Sequence, residues 1–359
     1  VIQAAFSRRF PAGRESAGFR LDVRFEAAAG VTALYGPSGS GKTWTLDAIA
    51  GFVQPDAGRI MLGDRILFDA GARVSVRPQQ RRCGYVFQNY ALFPHMTVRE
   101  NMAFAAYDLP RLERHRRIAE LLERFHLTDL AGRRPRELSG GQKQRASIAR
   151  ALIAEPAALL LDEPGRGLDA VLRAELYAVL LEMKASLRIP VLLVTHDLEE
   201  CFAMADQVLI YDAGSIVHRG SPAELLHNPG TAAVARLLGD FNLYEAEVLA
   251  IDPGRQTSRV RVLAQELDGP HLRGCFKGDR VTLCVRPEEL KLADRPGQNR
   301  IRVDQVRVIE RPQSVRVDFG GGIVIDVPRD IWKQRPDAIW VEIPAAAFRQ
   351  LKSEVHANP

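Results

Sequence analysis

The stretch Gly36-Pro37-Ser38-Gly39-Ser40-Gly41-Lys42-Thr43 decides how this chain is read. It satisfies G-x-x-x-x-G-K-[ST] at every fixed position, between a strand-like apolar run (Val31 to Tyr35) and a helix-like run (Trp44 to Ile49). That strand–loop–helix context is what a phosphate-cradling loop requires. Its glycines let the backbone wrap an anion, and the next helix aims unpaired N–H groups and its positive dipole end at the same place. The pattern predicts that Lys42 reaches the β- and γ-phosphates of a nucleoside triphosphate, with the Thr43 hydroxyl on Mg²⁺. The use made of that nucleotide depends on the residues downstream of the loop.

At 359 residues the chain exceeds one typical domain, so two are expected. Hydrophobic residues at 46% and charged residues at 26% suit a soluble chain with a sizeable core. The formal charge of +5 fits an ATP site, a nucleic acid or a membrane-side partner equally well and selects none of them. Cys83, Cys201, Cys275 and Cys284 are scattered without a C-x-x-C pair, which argues against a disulfide framework and against zinc at its usual spacing. Reduced thiols in a cytosolic protein are the reading, with Cys201 a small buried helix residue. No run approaches the roughly 20 apolar residues that span a bilayer, and no signal peptide opens the sequence. Any membrane role is therefore expected to come through a partner.

Phe19, Leu21, Val23 and Phe25 alternate with polar neighbours, the period of a half-buried strand, and Gly58 to Phe68 reads as a hairpin. From about Thr97 to Leu152 the pattern is helical, with Leu112, Ile118, Leu121, Leu122 and Phe125 recurring at helix spacing. Apolar runs return at Ala157 to Leu161 and Val191 to Val194, which suggests a parallel sheet covered on both faces. The texture changes at Leu238-Gly239-Asp240. Beyond it, strands are expected over Glu245 to Ile251, Ser258 to Leu263, Val281 to Val285, Ile301 to Ile309, Val315 to Phe319 and Ile323 to Val327, with Gly/Pro turns between them. Many short strands of this kind indicate a small barrel or sandwich. The expected organisation is an α/β P-loop domain over 1–240, with a helical subdomain at about 89–150, then an all-β domain over 241–359.

Leu159-Leu160-Leu161-Asp162-Glu163 is an apolar strand ending in two carboxylates, at the sheet edge where the P-loop also opens. Asp162 is placed to hold Mg²⁺, and Glu163 to act as general base on the water that attacks the γ-phosphate. Without the P-loop the same residues would read as a solvated acidic turn. Ahead of them lies Leu138-Ser139-Gly140-Gly141-Gln142, opening a basic helix, with Ser139 as a good N-cap and glycines that admit an anion.

That segment resembles the signature sequence of ATP-binding cassette (ABC) ATPases. The resemblance implies ATP as the nucleotide and a head-to-tail homodimer, in which Ser139, Gly140, Gly141 and Gln142 cap the γ-phosphate held by the other subunit's P-loop. It extends to three single residues. Gln88 in Tyr85-Val86-Phe87-Gln88-Asn89 matches the Q-loop glutamine that senses Mg²⁺ and water. His196 in Val194-Thr195-His196-Asp197 matches the switch histidine on the γ-phosphate. Asp169 in Gly167-Leu168-Asp169 matches the D-loop aspartate that links the two sites. Two departures stand out: Arg166 where small residues are usual in the D-loop, and Trp44 where a small hydroxyl residue is usual after the P-loop Thr. The adenine-stacking aromatic is not clear; Phe10 reads first as an apolar strand residue.

Leu92 to Asn101 resembles the stretch of bacterial importer ATPases whose helical subdomain receives a transmembrane permease, and Val285-Arg286-Pro287-Glu288-Glu289-Leu290 resembles their accessory OB-like (TOBE-like) barrel domain. The resemblance implies a peripheral subunit on the cytoplasmic face of the inner membrane, served through the permease by an extracytoplasmic solute-binding protein. Leu67-Phe68-Asp69 and Arg81 to Gln88 look most like molybdate importers, with sulfate, polyamine and ferric iron importers sharing much of the rest. An exporter would normally lack the β tail. A soluble ABC ATPase acting on nucleic acid would carry two cassettes or a coiled-coil insert, and neither is present here. No nucleic-acid partner is expected.

Overall fold

Uninterrupted apolar runs build the middle of the sheet. In this computed structural model, which describes residues 1–12, 18–186, 188–239, 241–304, 307–335 and 338–352, the strands in order are β1 (Ile2–Phe10), β2 (Phe19–Ala27), β3 (Gly30–Tyr35), β4 (Ala57–Leu62), β5 (Arg65–Asp69), β6 (Val74–Ser75), β7 (Cys83–Val86), β8 (Ala158–Asp162), β9 (Pro190–Thr195), β10 (Gln207–Asp212) and β11 (Ser215–Gly220). They form one sheet in the order β6-β5-β4-β1-β2-β11-β10-β3-β9-β8-β7. The segment β10-β3-β9-β8-β7 is parallel, and β1, β2, β4, β5 and β6 pair antiparallel. Every residue of β8 and β9 is buried. Leu159 and Leu161 pack into the core beneath the helices, while Ala158 and Leu160 pack with β1, β2 and the P-loop helix on the other face. Burial on both faces is why these strands are apolar throughout.

The helices are α1 (Lys42–Ala50), α2 (Val98–Ala105), α3 (Arg111–Arg124), α4 (Gly140–Leu152), α5 (Ala170–Ser186) and α6 (Leu198–Met204). Thr97 and Glu100 make a capping box that starts α2, and Ser139 and Gln142 make another that starts α4. On α3, Ile118, Leu122 and Phe125 are buried, but Leu112 is 84% exposed. At about 100° per residue Leu112 lies roughly 120° around the helix from Ile118, so it leaves the stripe despite being apolar. Asn101 is buried and serves the loop before α2. Its Nδ2 donates to the carbonyls of Phe93, Met96 and Thr97, and its Oδ1 accepts from the Phe93 N–H.

The described residues group into two compact units, Val1–Ala223 and Glu224–Pro359. The second is β-rich. Its five-stranded sheet holds Asn242–Asp252, Thr257–Val262, Gln265–Pro270, Arg280–Val285 and Arg349–Gln350, and two three-stranded sheets complete it. Tyr244, Val248, Val260, Leu283, Val317 and Val341 are among the residues that fill its core. The strand expected over Ile301 to Ile309 is described as two, Arg300–Val303 and Arg307–Glu310, with 305 and 306 outside the described residues. Asp240, at the texture change, also lies outside them.

Two ionisable side chains of the first unit, Arg81 and Glu200, are almost fully buried, with opposite consequences for stability. Arg81 is 2% exposed; its Nη1 donates to the carbonyls of Ala48 and Ile49 at 2.8 Å each, and its Nε to that of Val76 at 2.8 Å. It thereby satisfies the C-terminal carbonyls of α1 and complements the helix dipole. Arg81→Met keeps the length but orphans three carbonyls, and should lower stability by about 2–4 kcal/mol; an unchanged urea midpoint would refute the anchor. Glu200, on α6, is 2% exposed, and burial pushes its carboxyl up to about 7, against the pull of hydrogen bonds to Thr195 and Tyr177. A carboxyl raised on folding stays protonated while the unfolded chain ionises. Stability is therefore lost as pH climbs from about 4.5 to about 7. Glu200→Gln should accordingly stabilise the protein more at pH 8 than at pH 5, by roughly 2–3 kcal/mol, readable as the pH dependence of the denaturation midpoint.

Candidate active site

The parallel register brings three strand ends to one edge. Leu34 of β3 pairs with Val194 of β9, and Val194 with Asp162 of β8, so Gly36, Glu163 and His196 leave the sheet side by side. The P-loop glycines are sterically required. Gly36 has φ 154° and a Cβ there would lie 2.2 Å from the Tyr211 carbonyl oxygen; Gly41 has φ 103° and a Cβ would lie 2.7 Å from Leu21 Cδ1. Gly41 is also the N-cap of α1, and with no side chain it leaves the helix N–H groups open to an anion.

Lys42 is 5% exposed. Its Nζ donates to the carbonyl oxygens of Gly36 at 2.8 Å and Pro37 at 2.7 Å, with Ser40 Oγ at 3.4 Å. Burial lowers its pKa below the ordinary lysine value, partly offset by the nearby carboxylates of Glu163 and Asp162. Thr43 Oγ1 donates to Asp162 Oδ1 at 3.1 Å, and burial raises Asp162 to about 6. A desolvated carboxylate beside a hydroxyl suits a hard divalent cation. Mg²⁺ characteristically takes one or two carboxylates and fills the rest of its shell with substrate phosphate, water and other oxygens. Ser38 and Gly39 complete the loop, with Gly39 in the left-handed region at φ 80°.

Glu163 gathers the remaining polar groups. His196 Nδ1 lies 3.2 Å from its Oε1, and Arg166 Nη1 donates to its Oε2 at 2.7 Å. Burial pushes this carboxyl up, but the Arg166 and His196 hydrogen bonds outweigh it and hold it below its usual range. Oriented by its neighbours, the Gln88 amide turns its oxygen to Arg166, accepting from Nη1 at 2.5 Å and Nε at 3.0 Å; that end of the amide stands 3.5 Å from Glu163 Oε2, and in this orientation Arg166 bridges the two oxygens. Thus Gln88, Glu163 and His196 converge, and Arg166 joins them. Arg166 was visible in the sequence only as a departure from the D-loop pattern.

The signature segment keeps to itself. Ser139 Oγ accepts from the Gln142 N–H at 3.3 Å, and Gln142 Oε1 accepts from the Ser139 N–H at 2.9 Å. Gly141 is buried and Gly140 packs near Leu168. Among the described residues no hydrogen bond joins Ser139, Gly140, Gly141 or Gln142 to the P-loop. Asp169 Oδ1 accepts from the Leu172 N–H at 2.9 Å and so caps α5. Sequence reasoning gave no role to two residues near the loop. Arg81 was anonymous inside an Arg-Arg pair, and Trp44 was only a departure from pattern, although its ring centre lies 4.4 Å from that of Phe10.

Comparison with known proteins shows what the whole chain is similar to. The ABC transporter family model matches residues 21–166. The molybdenum import ATP-binding protein of Paramagnetospirillum magneticum is 36% identical over 349 residues, covering 94% of this chain and 91% of the relative. The spermidine/putrescine import ATP-binding protein of Nitratidesulfovibrio vulgaris is 42% identical over 269 residues, covering 73% of this chain and 71% of the relative. The sulfate/thiosulfate import ATP-binding protein of Synechococcus elongatus is 38% identical over 323 residues, covering 87% and 85%. Among solved structures, a dimeric bacterial ABC transporter cassette matches with a TM-score of 0.54 at 26% identity, covering 62% of this chain and 99% of that one. With the P-loop, the acidic strand end and the signature helix in one fold, the chain belongs to the ABC transporter family as the ATP-hydrolysing subunit of an importer.

Proposed function

We propose that the imported solute is an oxyanion, molybdate or sulfate, and that hydrolysis runs through Glu163. The observation that carries the mechanism is the convergence of His196, Gln88 and Glu163 beside Lys42. ATP phosphates would replace the Gly36 and Pro37 carbonyls as partners of Lys42, while the P-loop N–H groups from Gly36 to Thr43 hold the β-phosphate. Thr43, Asp162 and Gln88 would hold Mg²⁺, whose charge offsets that of the phosphate oxygens. Glu163 takes the proton of the attacking water as the bond from the γ-phosphorus to the ADP oxygen breaks, and His196 donates to the γ-phosphate. The local bonding of Ser139, Gly140, Gly141 and Gln142 leaves their γ-phosphate role to a second copy, in a head-to-tail homodimer linked through Asp169. The Phe93–Thr97 loop held by Asn101 would meet a transmembrane permease. The subunit then sits peripherally on the cytoplasmic face of the membrane, with a solute-binding protein outside and no nucleic acid.

The oxyanion reading rests on the extent of similarity to the molybdenum relative, which covers 94% of the chain and so includes the β-rich unit. A polyamine reading has one observation of its own, the higher identity of 42% to the spermidine/putrescine relative, but that match covers only 73%. ATP-site residues touch no solute, so identity within the cassette discriminates poorly between substrates.

Glu163→Gln should keep ATP binding and lose turnover by about 10²-fold or more, and light scattering should detect an ATP-trapped dimer. A wild-type rate would remove Glu163 from the role. The solute is tested by measuring, for the binding protein that feeds the permease, its affinity for molybdate, sulfate, ferric iron and spermidine. Binding of an oxyanion is expected; binding of spermidine alone would transfer the assignment to polyamines and leave the ATPase reading intact.

A further inference from the structure

Glu163 is held from both sides. Its Oε1 faces His196, its Oε2 accepts from Arg166, and the same guanidinium donates to Gln88. The tie to Arg166 comes from the chain itself. The Arg166 N–H donates to the Glu163 carbonyl at 3.1 Å, closing a turn that returns the arginine to the glutamate three residues back. Glu163 sits at φ 47°, a left-handed conformation unusual for a residue with a side chain, so this turn fixes where its carboxylate points. We propose that Arg166 is a positioning residue that clamps Glu163 and Gln88 together and must release Glu163 before each hydrolysis. The proposal rests on the reading of Glu163 as general base.

The chemistry favours a clamp over a bystander. A planar guanidinium holds two acceptors in a fixed fork geometry, which a small residue cannot do and a flexible ammonium does only without the fork. Each oxygen of Glu163 already has a partner, and the Arg166 hydrogen bond holds the carboxyl below its usual range, so the carboxylate is a weaker proton acceptor until the arginine lets go. Release is open to the arginine: its side chain is 56% exposed, whereas that of Glu163 is 13% exposed. An ion pair wet on one side is weak enough to break within a catalytic cycle. The next residue, Gly167, has φ 74° with no atom within 4 Å of where a Cβ would stand, so the turn has room to move.

The test compares steady-state hydrolysis of Mg²⁺–ATP by the full chain, as wild type, Arg166→Ala and Arg166→Lys, with Glu163→Gln made in the wild-type and Arg166→Ala backgrounds. Arg166→Ala is expected to raise kcat about three- to ten-fold with KM for ATP within about two-fold. Arg166→Lys should fall between, since it keeps the charge and loses the fork. A kcat at or below wild type in Arg166→Ala overturns the clamp, as does a raised KM at constant kcat, which would place Arg166 on ATP itself. The Glu163→Gln pair separates the two readings. If both such variants are silent while Arg166→Ala shows no gain, only the clamp falls. If either turns over, the general-base reading fails and the clamp with it.

Discussion

The parallel pairing of β3, β9 and β8 is the constraint on which the site depends. Hydrogen bonds between neighbouring strands set Leu34, Val194 and Asp162 in one row. One residue of slip would turn Asp162 toward the opposite face and take Glu163 and His196 out of reach of each other. The apolar filling of both faces enforces the register. Leu159 and Leu161 belong to one core, Ala158 and Leu160 to the other, and a slipped strand would exchange them. The site is thus positioned by packing well away from its polar atoms.

On that edge the charges are tuned by burial first and by neighbours second. Desolvation lowers Lys42 and raises Asp162, so both charged forms are costly without phosphate and metal partners. Glu163 goes the other way, because Arg166 and His196 outweigh its burial. Three ionisable groups on one edge are therefore pulled in different directions by different surroundings. That is the usual condition for dividing binding, metal and base roles among them.

Behind the edge, α1 is open at one end and closed at the other. Its N-terminus carries no capping side chain, which suits an anion. Its C-terminus is closed by the Arg81 guanidinium, whose donors reach the Ala48 and Ile49 carbonyls, and by Gly51 at φ 91°. Fixing the far end keeps the open end aimed, and a phosphate site needs that rigidity more than it needs extra contacts.

Local order along the chain was enough to identify the P-loop, the acidic end of β8, the capping box of Ser139 and Gln142, and the half-buried alternation of β2. Each depends on residues within a few positions of one another, where backbone sterics and short-range hydrogen bonds decide the outcome. The fully apolar β8 and β9 were likewise legible, because burial on both faces leaves a continuous run. Other features were not. Leu112 shares the helix spacing of the apolar residues of α3 yet stands exposed, and nothing in the sequence around Arg81 tells that Val76 and the end of α1 enclose it. The meeting of Gln88, Glu163 and His196 joins residues far apart in the chain, and the orientation of Arg166 across it depends on all three. The sequence by itself determined which chemical groups this protein carries and the local turns that present them. Only the tertiary structure decided which of them touch and how each is charged, because distance and desolvation arise when separate strands and helices pack together.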